Sequence, residues 1–301
     1  MEKVYAIITM YKPNISDFVR NLEIVSSQVE KILVLDNDED KDFYNLLIKE
    51  EKFFSLKNVK YIQMKKNLGL GAINVGVKIA QEEQANYVLL LDQDSTPEKN
   101  MVSVMIEFYK RKENILDKPI AAIGPTMINK RTGELFKSKL KRGKVLNEYL
   151  MEVDQLPTSG MLIPIRIFDD VGGFCEELFL DVTDFEWCWR AKAKGYKILK
   201  HRKAFMRHEL GEDTKKMWFI EYNVPSPERQ YYLFRNSIFV IMCDYAPTYV
   251  RLRYLVFTIL KILAYNLFLT DKRKRLKYTI EGLKDGIKRW ILISNACISE
   301  K

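Results

Sequence analysis

The stretch YVLLLDQDSTPEKN, residues 87–100, decides how the chain is read. Val88 to Leu91 are apolar and bounded by turn formers, the pattern of a short buried strand in a parallel sheet. The run then ends on two carboxylates, Asp92 and Asp94, one residue apart. Side chains alternate along a strand, so both point the same way. Two carboxylates side by side repel unless a cation sits between them. A divalent ion meets that need. Mg2+ and Mn2+ take carboxylate oxygens and share their coordination with phosphates. A single Asp at this point would be read as a turn cap. The pairing and the strand context favour a metal.

Working outward, four more strand-like runs appear at 4–11, 31–37, 59–67 and 120–128. Helix-like segments fall between them at 14–28, 41–54, 70–84 and 98–112. Asn14 and Thr96 have the character of N-caps, the second followed by Pro97. Alternating strands and helices predict an α/β fold with a mostly parallel, Rossmann-like sheet covered by helices on both faces. Ligands on such sheets bind at the carboxyl ends of the strands. Those ends carry Thr9 and Tyr11, Asp36 and Asn37, Asn67 and Gly69, then Asp92 and Asp94. Residues 130–150 are basic and irregular, a surface loop or hairpin. Residues 156–174 suggest a strand, a short helix and a glycine turn.

The chain has 301 residues, of which 47 % are hydrophobic and 30 % charged, a globular composition. With no long linker and no repeat, residues 1–245 form one expected domain and 246–301 a C-terminal helical extension. The chain starts directly on a strand-like run, so no signal peptide is expected. Cys175, Cys188, Cys243 and Cys297 lack CxxC spacing, which argues against a zinc site or a disulfide scaffold and for a reducing cytoplasm. From Thr248 onward there are 12 Lys and Arg against 4 Asp and Glu, which accounts for +8 of the net +9. The apolar run YLVFTILKILAYNLFL (254–269) precedes DKRKRLK and is short for a membrane span. It suits a helix lying in a membrane interface, with a core helix or a homodimer contact as the alternative. A nucleic-acid partner is disfavoured, because the basic charge lies in an apolar tail without a stacking motif.

Several motifs carry two readings each. Gly69 and Gly71 stand at a strand-to-helix turn, where glycine lets a phosphate approach or simply caps the helix. The spacing is not the dinucleotide fingerprint. FLDVTDFEWCWR offers Asp181, Asp184 and Glu186, either a general base near the metal rim or the acidic start of a helix. His208 can complete a metal site, as can His201, or either can be structural. Arg229, Tyr232 and Asn236 share one face of a helix, with Arg235 at its edge, and that helix grips a diphosphate or packs through its aromatics.

Together LLLDQDS, TSGMLI, FLDVTDFEWCWRAKAKGY, HELG and YYLFRN make the chain resemble the inverting family-2 glycosyltransferases of the GT-A fold. Within them it is most similar to bacterial rhamnosyltransferases that use dTDP-L-rhamnose. The resemblance covers roughly residues 3–245. It implies that Thr9, Tyr11, Asp36, Asn67, Gly69, Asp92 and Gln93 bind the nucleotide, with Asp36 reading the pyrimidine imide. It implies that Asp92, Asp94 and His208 hold Mg2+ or Mn2+, and that Arg235 neutralises the diphosphate. Asp184 would be the general base; Thr183 replaces the Glu that commonly precedes it, which leaves Asp181 as a possible contributor. The implied reaction is single-displacement transfer of rhamnose to a saccharide hydroxyl in cell-surface polysaccharide synthesis. The implied acceptor is lipid-linked, and the implied location is cytoplasmic, peripheral on the inner membrane face. Two alternatives keep their place: the same fold using UDP-glucose or UDP-galactofuranose, and a non-catalytic nucleotide-binding or membrane-docking protein.

Overall fold

The computed structural model describes residues 2–39, 42–112, 118–130, 132–136, 143–208, 214–217, 220–223 and 225–299. The first half runs β1 (Val4–Met10), α1 (Ile15–Ser26), β2 (Lys31–Asp36), α2 (Asp42–Leu47), α3 (Glu51–Ser55), β3 (Val59–Gln63), α4 (Ala72–Glu82) and β4 (Tyr87–Asp92). These strands pair in parallel in the order β3-β2-β1-β4. Thr9 lies level with both Leu35 and Asp92, so the strand ends form one rim.

The unbroken apolar run Val88–Leu91 now has its reason. Val88 and Leu90 pack with Ile73, Val77 and Ala80 of α4 on one face. Leu89 and Leu91 pack with Phe18, Leu22 and Val25 of α1 on the other. Both faces are covered, so both sets of alternate residues are apolar. Asp92 shares the parity of Val88 and Leu90, which sends its side chain toward the α4 face.

The chain continues through β5 (Thr96–Pro97), α5 (Met101–Lys112), β6 (Ile120–Asn129), β7 (Lys144–Val145), β8 (Leu150–Val153), β9 (Met161–Pro164), α6 (Ile167–Val171), α7 (Thr183–Ala193) and β10 (Lys197–His208). The sheet here is mixed. β9 lies antiparallel between β4 and β6, and all four of its residues are buried. β6 and β10 pair in parallel, and β8, β7 and β5 add antiparallel edges. A separate hairpin, β11 (Thr214–Met217) and β12 (Ile220–Asn223), follows.

Local signals fared unevenly. Asn14 caps α1, its Oδ1 accepting the Asp17 N–H at 3.1 Å. Thr96 is not a cap. Thr96 and Pro97 pair with Arg207 and Met206 instead, and the helix starts at Met101. A short edge tolerates Pro97, whose missing N–H need not enter the ladder. The helix expected over 41–54 is two short ones, α2 and α3.

The tail holds α8 (Pro227–Met242), α9 (Thr248–Phe268) and α10 (Lys272–Ser299). α10 approaches α8 at two glycines: a Cβ on Gly282 would stand 2.5 Å from the Tyr231 carbonyl oxygen, and one on Gly286 2.8 Å from that of Arg235. Gln230 donates to Thr279 Oγ1 at 2.7 Å and accepts from Arg275 Nη1 at 2.8 Å, which fixes the register. Among the described residues no helix is long and apolar enough to cross a membrane. Cys188 and Cys243 are free and buried. Cys175 is disulfide-bonded, which its spacing did not signal.

Candidate active site

The rim of strand ends gathers the carboxylates. Asp92 closes β4, Asp94 follows in the turn, and His208 closes β10. One ligand atom from each of these three lies within 4.8 Å of the others. His208 Nδ1 is 3.6 Å from an Asp94 oxygen and, though buried, has no hydrogen-bond partner. Burial raises the Asp94 pKa; the His208 charge offsets this in part and Asp92 adds to it. Two carboxylates and an imidazole nitrogen without a partner form a donor set that suits a divalent cation.

A turn connects this group to Asp184. The Thr158 hydroxyl donates to Asp92 Oδ1 at 3.0 Å, and the Ser159 hydroxyl to Asp92 Oδ2. The Thr158 N–H donates to Asp184 Oδ2 at 3.3 Å. Thr158 therefore holds both carboxylates from one residue. Gly160 follows at φ +82°, where a Cβ would stand 2.6 Å from Pro125, so the turn requires glycine. Asp184, in the first turn of α7, has its pKa raised to about 7. Burial is the main cause, the nearby Asp92 adds to it, and the Phe185 and Thr158 N–H groups oppose it. A carboxylate with a pKa near neutrality is matched to proton transfer.

The loop before α7 is strained. Phe179, Asp181 and Val182 have φ of 61°, 55° and 70°, a region that non-glycine residues, β-branched ones above all, rarely occupy. Such strain persists only where neighbours over-determine it. Here Arg235 Nη2 donates to the carbonyl oxygens of Glu177 at 2.6 Å and Leu178 at 2.9 Å. Asn236 Nδ2 donates to those of Leu178 at 2.9 Å and Asp181 at 3.3 Å. The Arg-Asn pair of α8 thus clamps the loop that delivers Asp184.

The rest of DFEWCWR is framework. Arg190 pairs with Glu186 at 2.8 Å and donates to the Val171 oxygen at 2.6 Å and the Gly173 oxygen at 2.7 Å. Tyr245 donates to Glu186 Oε1 at 2.8 Å, so a fully buried carboxylate is satisfied from two sides. Trp187 Nε1 donates to the Gly172 oxygen at 2.9 Å.

With this geometry in view, the family model described as "Glycosyl transferase family 2" matches residues 6–170. The chain belongs to glycosyl transferase family 2. It is 26 % identical over 300 residues to "dTDP-rhamnosyl transferase RfbF" of Shigella flexneri, with 95 % of each chain covered. Its fold is similar to that of GalNAc-T7, solved with UDP, GalNAc and Mn2+, at a TM-score of 0.63 and 13 % identity over 96 % of this chain. It is also similar to S. aureus TarS, at 0.57 and 15 % over 98 % of this chain. The chain spans about half the length of these two solved proteins, 56 % and 52 %.

In this family-2 glycosyltransferase the expected nucleotide residues stand as follows. Thr9 lies beside Asp92 in the sheet. Tyr11 is half exposed, and its N–H donates to Gln93 Oε1 at 2.8 Å. Asp36 is fully buried, accepting from the Tyr61 hydroxyl and, at 2.9 Å, from the Asp38 N–H. A base would have to reach one of its remaining lone pairs. Asn67 accepts the Gly69 N–H at 2.8 Å, and Asn37 bonds both the Gly69 oxygen and the Leu68 N–H. Gly69, at φ +57°, is demanded by packing: a Cβ there would stand 2.1 Å from the Phe179 oxygen.

Three side chains that the sequence singled out have partners of their own. The Arg235 guanidinium, expected at a diphosphate, is buried and donates to the carbonyl oxygens of the loop and to Asn236. Asp181 is taken by Arg229, at 2.7 Å. His201 is a buried core residue of β10, edge-on to Phe108. Glu209 to Gly211 of the HELG stretch lie outside the described residues. Sequence reasoning missed Thr158 and Ser159 as holders of Asp92. It also missed Lys130, whose charge acts on Asp94 and whose N–H donates to the His208 oxygen at 3.1 Å.

Proposed function

We propose that the chain transfers L-rhamnose from dTDP-β-L-rhamnose to a saccharide hydroxyl, inverting the anomeric centre. The observation that carries this reading is the likeness over 95 % of both chains to a dTDP-rhamnosyl transferase, joined to the Asp184–Thr158–Asp92 arrangement. Asp92, Asp94 and His208 would hold the metal, Mg2+ or Mn2+. A bound divalent ion supplies positive charge where the diphosphate departs. The Lys130 charge acts on Asp94 and adds to that positive charge.

The acceptor O–H is a weak nucleophile near neutral pH, and its proton goes to the Asp184 carboxylate as attack begins. The acceptor oxygen bonds to the anomeric carbon. The bond from that carbon to the diphosphate oxygen breaks, and its electron pair leaves with dTDP. One in-line displacement converts the β-linked donor into an α-linked rhamnoside. Thr158 keeps Asp184 oriented through its N–H while its hydroxyl fixes Asp92, so base and metal carboxylates stay in register.

The test is release of dTDP from dTDP-β-L-rhamnose by the purified protein, alongside UDP-glucose and UDP-galactofuranose as competing donors. Turnover of the dTDP donor, lost on Asp184→Asn with dTDP affinity kept, supports the reading. Turnover of a UDP donor alone would replace rhamnose with another sugar. Equal loss of turnover and of nucleotide binding would remove Asp184 from the role of base.

A further inference from the structure

Among the described residues, a run of exposed apolar side chains lies along α9 and plays no part in the chemistry above. Leu252, Leu255, Val256, Ile259, Leu260 and Leu263 are each 44–58 % exposed. At 100° per residue they fall within an arc of about 140° on one side of the helix. The opposite side is covered: Val250, Thr258 and Tyr265 are buried. Among the described residues, then, one side of α9 is covered and the Leu252–Leu263 side is left open.

The charge around this stripe says what covers it. α9 has no Asp or Glu from Thr248 to Phe268, and it carries Arg251, Arg253 and Lys261. The next helix opens with Lys272, Arg273 and Lys274, all exposed, and adds Lys277, Lys284 and Lys288. A second copy would bring the same positive charge to the contact. An anionic bilayer surface brings the opposite charge together with an apolar layer beneath it. The stripe runs over 12 residues from Leu252 to Leu263, about 17 Å along the axis, which suits a helix lying flat and not one that crosses.

The covered side of α9 faces the chemistry. Tyr254 packs into the cluster that contains Val182 and Phe185, the near neighbours of Asp184. Burial raises the Tyr254 pKa to about 12, and the charges of Asp181 and Asp184 add to it. Lys261, two turns along, feels Asp181 as well. The stripe and the catalytic carboxylate thus lie on opposite sides of one helix, about 10 Å across.

We propose that α9 is a membrane-docking helix, its Leu252–Leu263 stripe seated in an anionic bilayer surface so that Asp184 works beside that surface. The docking rests on α9 alone. Its meaning, an acceptor presented by the membrane as a lipid-linked saccharide, rests on the transfer proposed above.

Flotation of the full chain with vesicles tests it, comparing neutral phosphatidylcholine with a mixture containing 30 % phosphatidylglycerol, at low and high salt. Ile259→Glu with Leu263→Glu is the perturbing pair; both residues are exposed, so the fold has no need of them. Phe54→Glu, at an exposed apolar residue of α3, is the control. Expected is binding to the anionic vesicles, weakened by salt, at least tenfold weaker in the pair and unchanged in the control. The pair keeps its melting temperature and its dTDP affinity. Three results overturn the proposal: no binding by folded protein, equal binding to neutral vesicles, or a solution dimer that the pair converts to monomer without any vesicle binding. Because dTDP binding is read separately, failure of docking and failure of the transfer reading remain distinguishable.

Discussion

Replacing Asp184 by Asn should make the protein more stable while removing its activity, and the gain should depend on pH. Burial lifts the Asp184 pKa from its ordinary 3.8 to about 7. A raised carboxylate pKa means that the fold disfavours the charged form. No penalty exists below the unfolded pKa; it grows as pH rises and is complete above the folded pKa. At 1.36 kcal/mol per unit, the cost of carrying the charge is about 4 kcal/mol at pH 8 and about 2 kcal/mol at pH 5. Solvent reaching the partly open side chain screens these, so they are upper values. Asn keeps one acceptor where the carboxylate offered two, to the N–H groups of Thr158 and Phe185. That loss costs about 1 kcal/mol. The net gain for Asp184→Asn is about 3 kcal/mol at pH 8 and about 1 kcal/mol at pH 5. Urea unfolding of both proteins at the two pH values, with EDTA present to remove divalent ions, measures it. Identical pH slopes for wild type and variant would refute the raised pKa, and a variant less stable at pH 8 would refute the account of the site's electrostatics.

Other perturbations separate framework from chemistry. Glu186→Gln removes the carboxylate charge that pairs with the buried Arg190 guanidinium at 2.8 Å and should cost about 3–5 kcal/mol in denaturant melts. Gly69→Ala should be far worse than Gly133→Ala, since both have positive φ but only the first Cβ meets backbone, at 2.1 Å. Comparing their melting temperatures checks this. Thr158→Val keeps the N–H to Asp184 and removes the hydroxyl from Asp92, so Mn2+ affinity should fall about tenfold with the fold intact.

The sequence revealed most where one strand fixes both neighbours. Val88–Asp92 announced a strand buried on both faces, and the parity that buries Leu90 also aims Asp92. The Asp92–Asp94–His208 group was legible because strand ends converge on one rim. The hydroxyls holding Asp92 were not, since Thr158 is 66 residues away and only the β9 turn brings it back. The insertion of β9 between β4 and β6 was equally hidden, because a buried strand looks alike whichever way it runs. The loop contacts of Arg235 were hidden for a related reason: helical spacing says which residues share a side, not what that side faces. Glu186 and Arg190 did carry a signal, the i,i+4 spacing of an ion pair, but spacing does not tell a buried pair from a solvated one.

The most direct test of the central claim is a calorimetric titration of the purified chain with dTDP and with UDP, each with and without Mn2+, in wild type and in His208→Ala. The account predicts binding that requires Mn2+, prefers dTDP, and weakens when His208 is removed. Metal-independent binding would contradict the Asp92–Asp94–His208 site, a preference for UDP would contradict the rhamnose donor, and no binding by the folded protein would contradict the proposed nucleotide site itself.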